Sequence, residues 1–330
     1  MTTALEKVTV VIRSVGERTE AVCRQLILEQ GVAEDAVFVI REAPFSQAMR
    51  VGFQIGLKQG RPWTFCVDAD LLLRPGSIQR MVELAEQQPE NVCEIQGYIL
   101  DKFFGGPRIG GIHLYRTALL DRVIAAIPAE GVNIRPERAT LGHMEKQGFP
   151  FVVVPELVGL HDFEQYQADI FRKCFVQAHK HLYLAPLLVE YWRESAAGDA
   201  DYEVALAGFA RGIDHCGDVR VDVREQLFSH SSEALGVCEK AQILPDEWSL
   251  ERVESLITDW HEPELYHRYF PRRAGLEPAA QTHATTGTTH KRLKGWWRRV
   301  VEIGSWRVLP YGIGWLLQRL GQILQQSVKV

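Results

Sequence analysis

Trp63-Thr-Phe-Cys-Val-Asp-Ala-Asp-Leu-Leu-Leu73, or WTFCVDADLLL, is the stretch on which the reading of this chain turns. Five residues, four of them apolar, run into Asp68 and Asp70, and three leucines follow. Burying a carboxylate is costly unless a metal, a hydrogen-bonded cap or open water compensates it. The apolar run predicts a central strand, so the two aspartates stand just past its C-terminal end. In open α/β sheets that edge is where ligands bind. Side chains two apart in an extended segment share a face, so Asp68 and Asp70 can point the same way. Two hard oxygen ligands there suit Mg²⁺ or Mn²⁺ bridged to a diphosphate. A second reading stays open, in which Asp70 caps a turn and Asp68 pairs with a lysine or arginine.

Working outward, VTVVIR (Val8–Arg13) predicts a buried strand and Glu17–Gln30 a helix stopped by Gly31. VFVIRE (Val37–Glu42) predicts a second strand. A helix over Ser46–Gly60 follows, with Ser46 as its cap and Gly60 as its stop. Pro75–Gln87 predicts a third helix. This alternation, with runs buried on both faces, indicates a mostly parallel sheet covered by helices. CEIQGYIL (Cys93–Leu100), the glycine-rich FFGGPRIGG (Phe103–Gly111), IHLYRTALLDRVIAAI (Ile112–Ile127) and the buried strand FPFVVVPELVGLHDF (Phe149–Phe163) complete the first half. From Gln165 to about Arg193, over Tyr202–Cys216 and over Leu250–Trp260 the pattern is helical. These segments predict a helical extension with no second sheet. We therefore expect an α/β domain over 1–195, a helical extension over 196–273, a low-complexity linker over 274–290 and a basic amphipathic tail over 291–330.

The chain has 330 residues, 46% hydrophobic and 24% charged, which is ordinary for a soluble globular protein with a sizeable core. A net charge of -5 argues against general nucleic-acid binding. Cys23, Cys66, Cys93, Cys174, Cys216 and Cys238 are dispersed without a CxxC pair, which suits reduced thiols in a cytoplasm. The opening MTTALEKVTVVIRS lacks the order of a signal peptide. No run of about 18 uncharged apolar residues predicts a spanning helix.

The order VTVVIRSVGER, VFVIRE, QAMRVGFQIGL, FCVDAD, FFGGPRIGG, RPERATLGHMEKQG and FVVVPELVGLH resembles nucleotide-sugar glycosyltransferases of GT-A fold, the family-2-like group above all, over about residues 6–165. The resemblance implies a Rossmann-like, mostly parallel sheet with flanking helices and a metal-assisted transfer from a nucleotide-diphosphate sugar. It implies that Arg13, Ser14 and Val15 approach the nucleotide and that Glu42 lies near the base. Arg50, on the arginine-containing helix, belongs with the donor contacts. Asp68 and Asp70 would hold the metal and diphosphate, and His161 would join them. As an alternative, His161-Asp162 caps the following helix. Glu137 falls where the family has the aspartate of a Glu-Asp pair, which implies a general base for an inverting displacement. Pro136 stands in place of the acidic neighbour, Glu145 is a competitor, and a glutamate at a helix N-terminus is an equal reading. Asp101 and Arg108, around the glycine-rich segment, would reach sugar hydroxyls and phosphate. His179 and His181 sit i,i+2, which does not share a helix face, and read as surface histidines.

In KRLKGWWRRVVEIGSWRVLPYGIGWLLQRLGQILQQ, Leu293, Trp296, Trp297 and Val300 fall at helical spacing among Lys291, Arg292, Lys294, Arg298 and Arg299. That composition suits an interfacial membrane anchor; docking on the protein's own body or in a dimer is the alternative. The expected function is a cytoplasmic, membrane-peripheral glycosyltransferase acting on a glycan or lipid-linked acceptor. A sugar-phosphate nucleotidyltransferase would want more glycine after the first strand than RSVGERTEA offers. A non-catalytic protein that keeps the fold is the third possibility.

Overall fold

The computed structural model describes residues 2–217, 219 and 240–270, all within one compact unit that runs to Ala280. The predicted linker (274–290) and basic tail (291–330) lie outside the described residues. No helix among the described residues is long and apolar enough to cross a membrane.

Eight strands form one sheet in the order β2-β1-β3-β7-β5-β8-β4, with β6 paired to β5. β1 (Val8–Arg13) lies parallel between β2 (Val37–Ile40) and β3 (Trp63–Asp68), and every residue of it is buried. That explains its unbroken apolar run, because a strand covered on both faces needs no alternation. Val10 and Ile12 face one core cluster with Cys23 and Ile27 of α1 (Glu20–Glu29) and Ile78 and Met81 of α3 (Ser77–Glu86). Val11, between them, faces the other cluster with Met49 and Phe53 of α2 (Phe45–Gln59), Leu120 of α4 (Leu120–Ala126) and Leu141 and Met144 of α5 (Pro136–Lys146). Each such fully buried aliphatic side chain contributes about 1.5–3 kcal/mol.

The sheet forks in its middle. β5 (Glu94–Asp101) pairs with β8 (Phe151–His161) from Glu94 to Asp101, but on its other side it pairs with β7 (Ile112–Arg116) only at Glu94 and Ile95 and with β6 (Gly106–Ile109) from Tyr98 onward. β3 stays with β7 on one arm. β4 (Leu71–Leu73) begins three residues after Asp68, yet pairs with β8 on the other arm, Leu71 opposite His161. Asp68-Ala69-Asp70 is therefore a bridge between arms. Its backbone is fixed on both sides: Asp68 N donates to Gly111 O (3.0 Å), Ala69 N to Arg13 O (2.9 Å), and Asp162 N to Asp70 O (3.3 Å).

α6 (Gln167–Lys180), α7 (Ala185–Ser195) and α8 (Asp201–Asp214) close over Phe103 and Phe104 in a further core. α8 approaches α6 through glycines: a Cβ on Gly208 or Gly212 would stand 2.4 Å from the carbonyl oxygen of Phe171 or Phe175. Two local expectations need correction. Ser46 is not the cap of α2: Pro44 occupies that position, and the Ser46 hydroxyl meets the Glu130 carboxylate instead. The helical stretch expected over Gln165–Arg193 is two helices, broken at His181. Gly60 does end α2, at φ 66°.

Candidate functional site

The register of the strands assembles the site. Arg13 at the end of β1 stands opposite Asp68 at the end of β3, and Asp101 at the end of β5 opposite His161 at the end of β8. Asp70, on the bridge, connects the two pairs.

On the first arm, Arg13 Nε donates to Asp68 Oδ1 (2.8 Å) and Nη1 to Glu137 Oε1 (2.8 Å). Glu137, in the first turn of α5, also accepts from the Tyr115 hydroxyl at 3.1 Å, and its second oxygen lies 2.8 Å from His113 Nε2. The other ring nitrogen of His113 is 2.8 Å from Glu94 Oε1. This chain of charges runs from the core to the bridge, and the Arg13 side chain is only 3% exposed. Burial disfavours the charged form of His113, but Glu137 and then Glu94 outweigh it and push the imidazole up to about 9. Burial drives Glu94 up to about 7. Glu137 goes the other way: against the effect of burial, Arg13 and His113 hold it well below the usual carboxylate range.

On the second arm, His161 Nδ1 lies 2.8 Å from Asp101 Oδ2 and 3.0 Å from Asp162 Oδ2, leaving Nε2 turned to Asp70 Oδ1 at 3.5 Å. The Lys173 ammonium, on α6, contacts both Asp70 and Asp162. Asp101 is fully committed: the backbone N–H groups of Phe103 and Phe104 meet Oδ1 at 2.9 and 3.0 Å, and Arg108 Nε meets Oδ2 at 2.5 Å. Burial disfavours imidazolium at His161, yet Asp162, Asp70 and Asp101 push it up to about 10. Asp162 sits at φ 64°, the one non-glycine residue in the left-handed region among those described. Aspartate tolerates that conformation better than most residues.

Asp68 and Asp70 thus turn to different partners, Asp68 to Arg13 and Asp70 to His161 and Lys173. Ser14 and Val15 lie beside them, bound back onto Glu17, whose Oε2 accepts from Ser14 Oγ (2.8 Å) and Val15 N (2.7 Å). Arg108 stands at the second arm through Asp101. Glu42 is exposed just beyond β2. Arg50 is engaged elsewhere, donating to the carbonyls of Ile124 and Ile127 at the end of α4 at 3.1 and 3.3 Å. Asp162, Lys173, Glu17, His113 and Glu94 belong to the assembly although the sequence reading did not select them. His113 did leave a signal, a polar residue between Ile112 and Leu114 within a buried strand.

Asp70, His161 and Asp162 are buried and each offers a ligand atom, all within 4.8 Å of one another. Asp70 Oδ1 is buried and makes no hydrogen bond. Two carboxylates and an imidazole whose far nitrogen is oriented by Asp101 are a competent set for a divalent cation. Lys173 is bound by two members of that set, so its ammonium and a divalent ion compete for the same oxygens.

The sequence matches no family model and no curated protein. In fold it is similar to several solved structures. One is a glycosyltransferase involved in the glycosylation of the major capsid of PBCV-1 (13% identity, 47% of this chain and 82% of that one, TM-score 0.31). Another is a mannosyltransferase from Pyrobaculum calidifontis in complex with GDP-Man and Mn²⁺ (14% identity, 70% and 81%, TM-score 0.36). A cytidylyltransferase from Leptospira borgpetersenii is a third (13% identity, 46% and 76%, TM-score 0.30). These are partial likenesses of fold, and the chemistry has to come from the side chains.

Proposed function

We propose that this protein is a glycosyltransferase that moves a sugar from a nucleotide-diphosphate donor to a hydroxyl acceptor with the help of a divalent metal. The observation that supports it most is the bridge Asp68-Ala69-Asp70, which carries one carboxylate to Arg13 and the other to His161 and Asp162 across a forked sheet edge. An acidic, imidazole-containing cluster beside a buried arginine suits a metal-bound diphosphate. Asp70, Asp162 and His161 Nε2 would hold the ion. The imidazole favours Mn²⁺ over Mg²⁺. When bound, the metal would neutralise charge on the departing diphosphate.

The protein's own groups have the remaining tasks. Asp101 fixes the His161 ring through Nδ1, and Arg108 holds Asp101 in turn. Arg13 is the cation closest to Asp68 and is proposed to reach the donor phosphates, with Ser14 and Val15 lining the nucleotide end. Glu137 is proposed as the base for the acceptor hydroxyl. Arg13 and His113 occupy its carboxylate in the structure described here, which leaves it weakly basic. The base role therefore requires the Arg13 contact to pass to the donor, after which Glu137 recovers basicity as the donor binds. A glycan or lipid-linked precursor is the proposed acceptor. The basic tail is proposed to hold the protein at the inner face of the membrane; equal liposome flotation of the full chain and of a chain ending near residue 288 would refute that part. The function itself is tested by turnover of nucleotide sugars with and without Mn²⁺. Asp70→Asn and His161→Ala should abolish the metal-dependent rate, and unchanged turnover in both would sink the reading.

A further inference from the structure

Strand register brings three polar side chains of the core to one face. Glu94 stands opposite Tyr115 in the short pairing of β5 with β7, and His113 is two residues before Tyr115. All three therefore share the face on which Tyr115 joins Leu141 and Met144 of α5. The His113 and Tyr115 rings stack at 6.0 Å. Both ring nitrogens of His113 are committed. Nδ1 lies 2.8 Å from Glu94 Oε1, with the Gln96 amide 2.9 Å away, and Nε2 lies 2.8 Å from Glu137 Oε2. The two oxygens of Glu137 thus differ. Oε2 has the imidazole as its near partner, with Arg13 Nη2 at 3.5 Å, whereas Oε1 accepts from Arg13 Nη1 at 2.8 Å and from the Tyr115 hydroxyl at 3.1 Å.

A purely structural account is that these charges fasten α5 to the sheet. That accounts for Arg13 and Glu137 and leaves Glu94 over. Glu94 is fully buried, and its Oε2 makes no hydrogen bond. A bare buried carboxylate oxygen weakens a fold, and an apolar residue of like volume serves a structural position at least as well. What Glu94 adds is orientation. A carboxylate on Nδ1 fixes the ring so that the opposite N–H is directed at Glu137.

We propose that His113, held by Glu94, is a positioning residue of the transfer: it pins Glu137 Oε2, so that Oε1 takes the acceptor's proton once Arg13 turns to the donor. This role rests on the reading of Glu137 as the base. In that step the acceptor oxygen bonds to the anomeric carbon while its O–H proton passes to Glu137 Oε1. The bond from that carbon to the diphosphate breaks, and its electron pair leaves with the diphosphate. A glutamate relieved of Arg13 and left without the imidazole is free to rotate. A displaced base costs rate without costing donor affinity.

The test exchanges the imidazole, in the full chain, for amides that each copy one of its nitrogens. In His113→Gln the side-chain N–H takes the place of Nε2 and reaches Glu137. In His113→Asn it takes the place of Nδ1 and reaches only Glu94. Turnover is read as release of nucleoside diphosphate from the nucleotide sugar that the wild type uses. His113→Gln should keep kcat within about tenfold of wild type and His113→Asn should lose at least about a hundredfold, with the donor KM of both within about twofold. A merely structural residue would spread its loss over KM and kcat and would not separate the two amides. A second reading needs only a folded wild type: NMR of isotope-labelled histidine should keep the His113 Nε2–H signal, assigned by its loss in the variants, when a nucleoside diphosphate and Mg²⁺ are added. Equal kcat in the two variants, a loss confined to donor KM, or disappearance of that signal overturns the proposal while leaving the transferase reading in place. A wild type that turns over no nucleotide sugar removes the transferase reading itself, and this role with it.

Discussion

Replacing Glu137 by glutamine keeps the side chain's shape and removes the charge on which two buried cations depend. Its carboxylate accepts from Arg13 and Tyr115 on one oxygen and faces His113 Nε2 at 2.8 Å on the other. Glu137 is the leading cause that raises His113 from 6.5 to about 9. A folded-state value above the unfolded one contributes stability that is complete below pH 6.5 and is lost as pH rises through about 9. At about 1.4 kcal/mol per pKa unit, that displacement is worth roughly 3 kcal/mol on the acid side. Glu94, from 4.5 to about 7, and His161, from 6.5 to about 10, titrate with the same sign in both proteins, so the difference between wild type and Glu137→Gln above pH 7 is what reports His113. Urea unfolding should therefore show that difference shrinking by about 2–3 kcal/mol between pH 7 and 9.5. Glu137→Gln should start lower and change less over that window, so the two curves converge. Parallel curves would show that His113 is not held charged by Glu137, and the account of the first arm would fail.

The other predictions concern the second arm and the helical layer. Lys173→Gln should unfold about 2–4 kcal/mol more easily in chelator, because Asp70 and Asp162 lose their shared ammonium. Mn²⁺ should restore most of that loss and bind this variant more tightly than wild type; metal-insensitive melting would contradict the competition inferred here. Gly208→Ala should lower stability by about 1–3 kcal/mol, since its Cβ would lie 2.4 Å from a backbone oxygen of α6. Thermal unfolding reads this, and an unchanged melting temperature would mean that the two helices are not so closely packed.

The first three strands were legible because each is an apolar run covered on both faces, and the glycine that stops α2 is where the pattern required it. The carboxylate pair at the end of β3 was legible for the same reason, since charges directly after such a run must lie at an edge. The fork was not. β4 is three leucines, too short to carry a period, and its partner β8 lies far along the chain. Without the fork, Asp68 and Asp70 read as one pair with one job, whereas the structure turns them to different arms. Asp162 was hidden by standing next to His161, where a helix cap explains both residues equally well. Lys173 reads as an ordinary polar position on an amphipathic helix until its ammonium is seen between two carboxylates. Arg50 was assigned by resemblance alone, and its guanidinium is committed to the carbonyls that end α4.

The most direct measurement of the second arm's role is the melting temperature of the full chain against a panel of nucleoside diphosphates, each with and without Mn²⁺, for wild type and Asp70→Asn. The account predicts that at least one diphosphate stabilises the wild type only when Mn²⁺ is present. It predicts no such metal-dependent shift in Asp70→Asn. No diphosphate giving a metal-dependent shift in the wild type, or the same shift in both proteins, would contradict it.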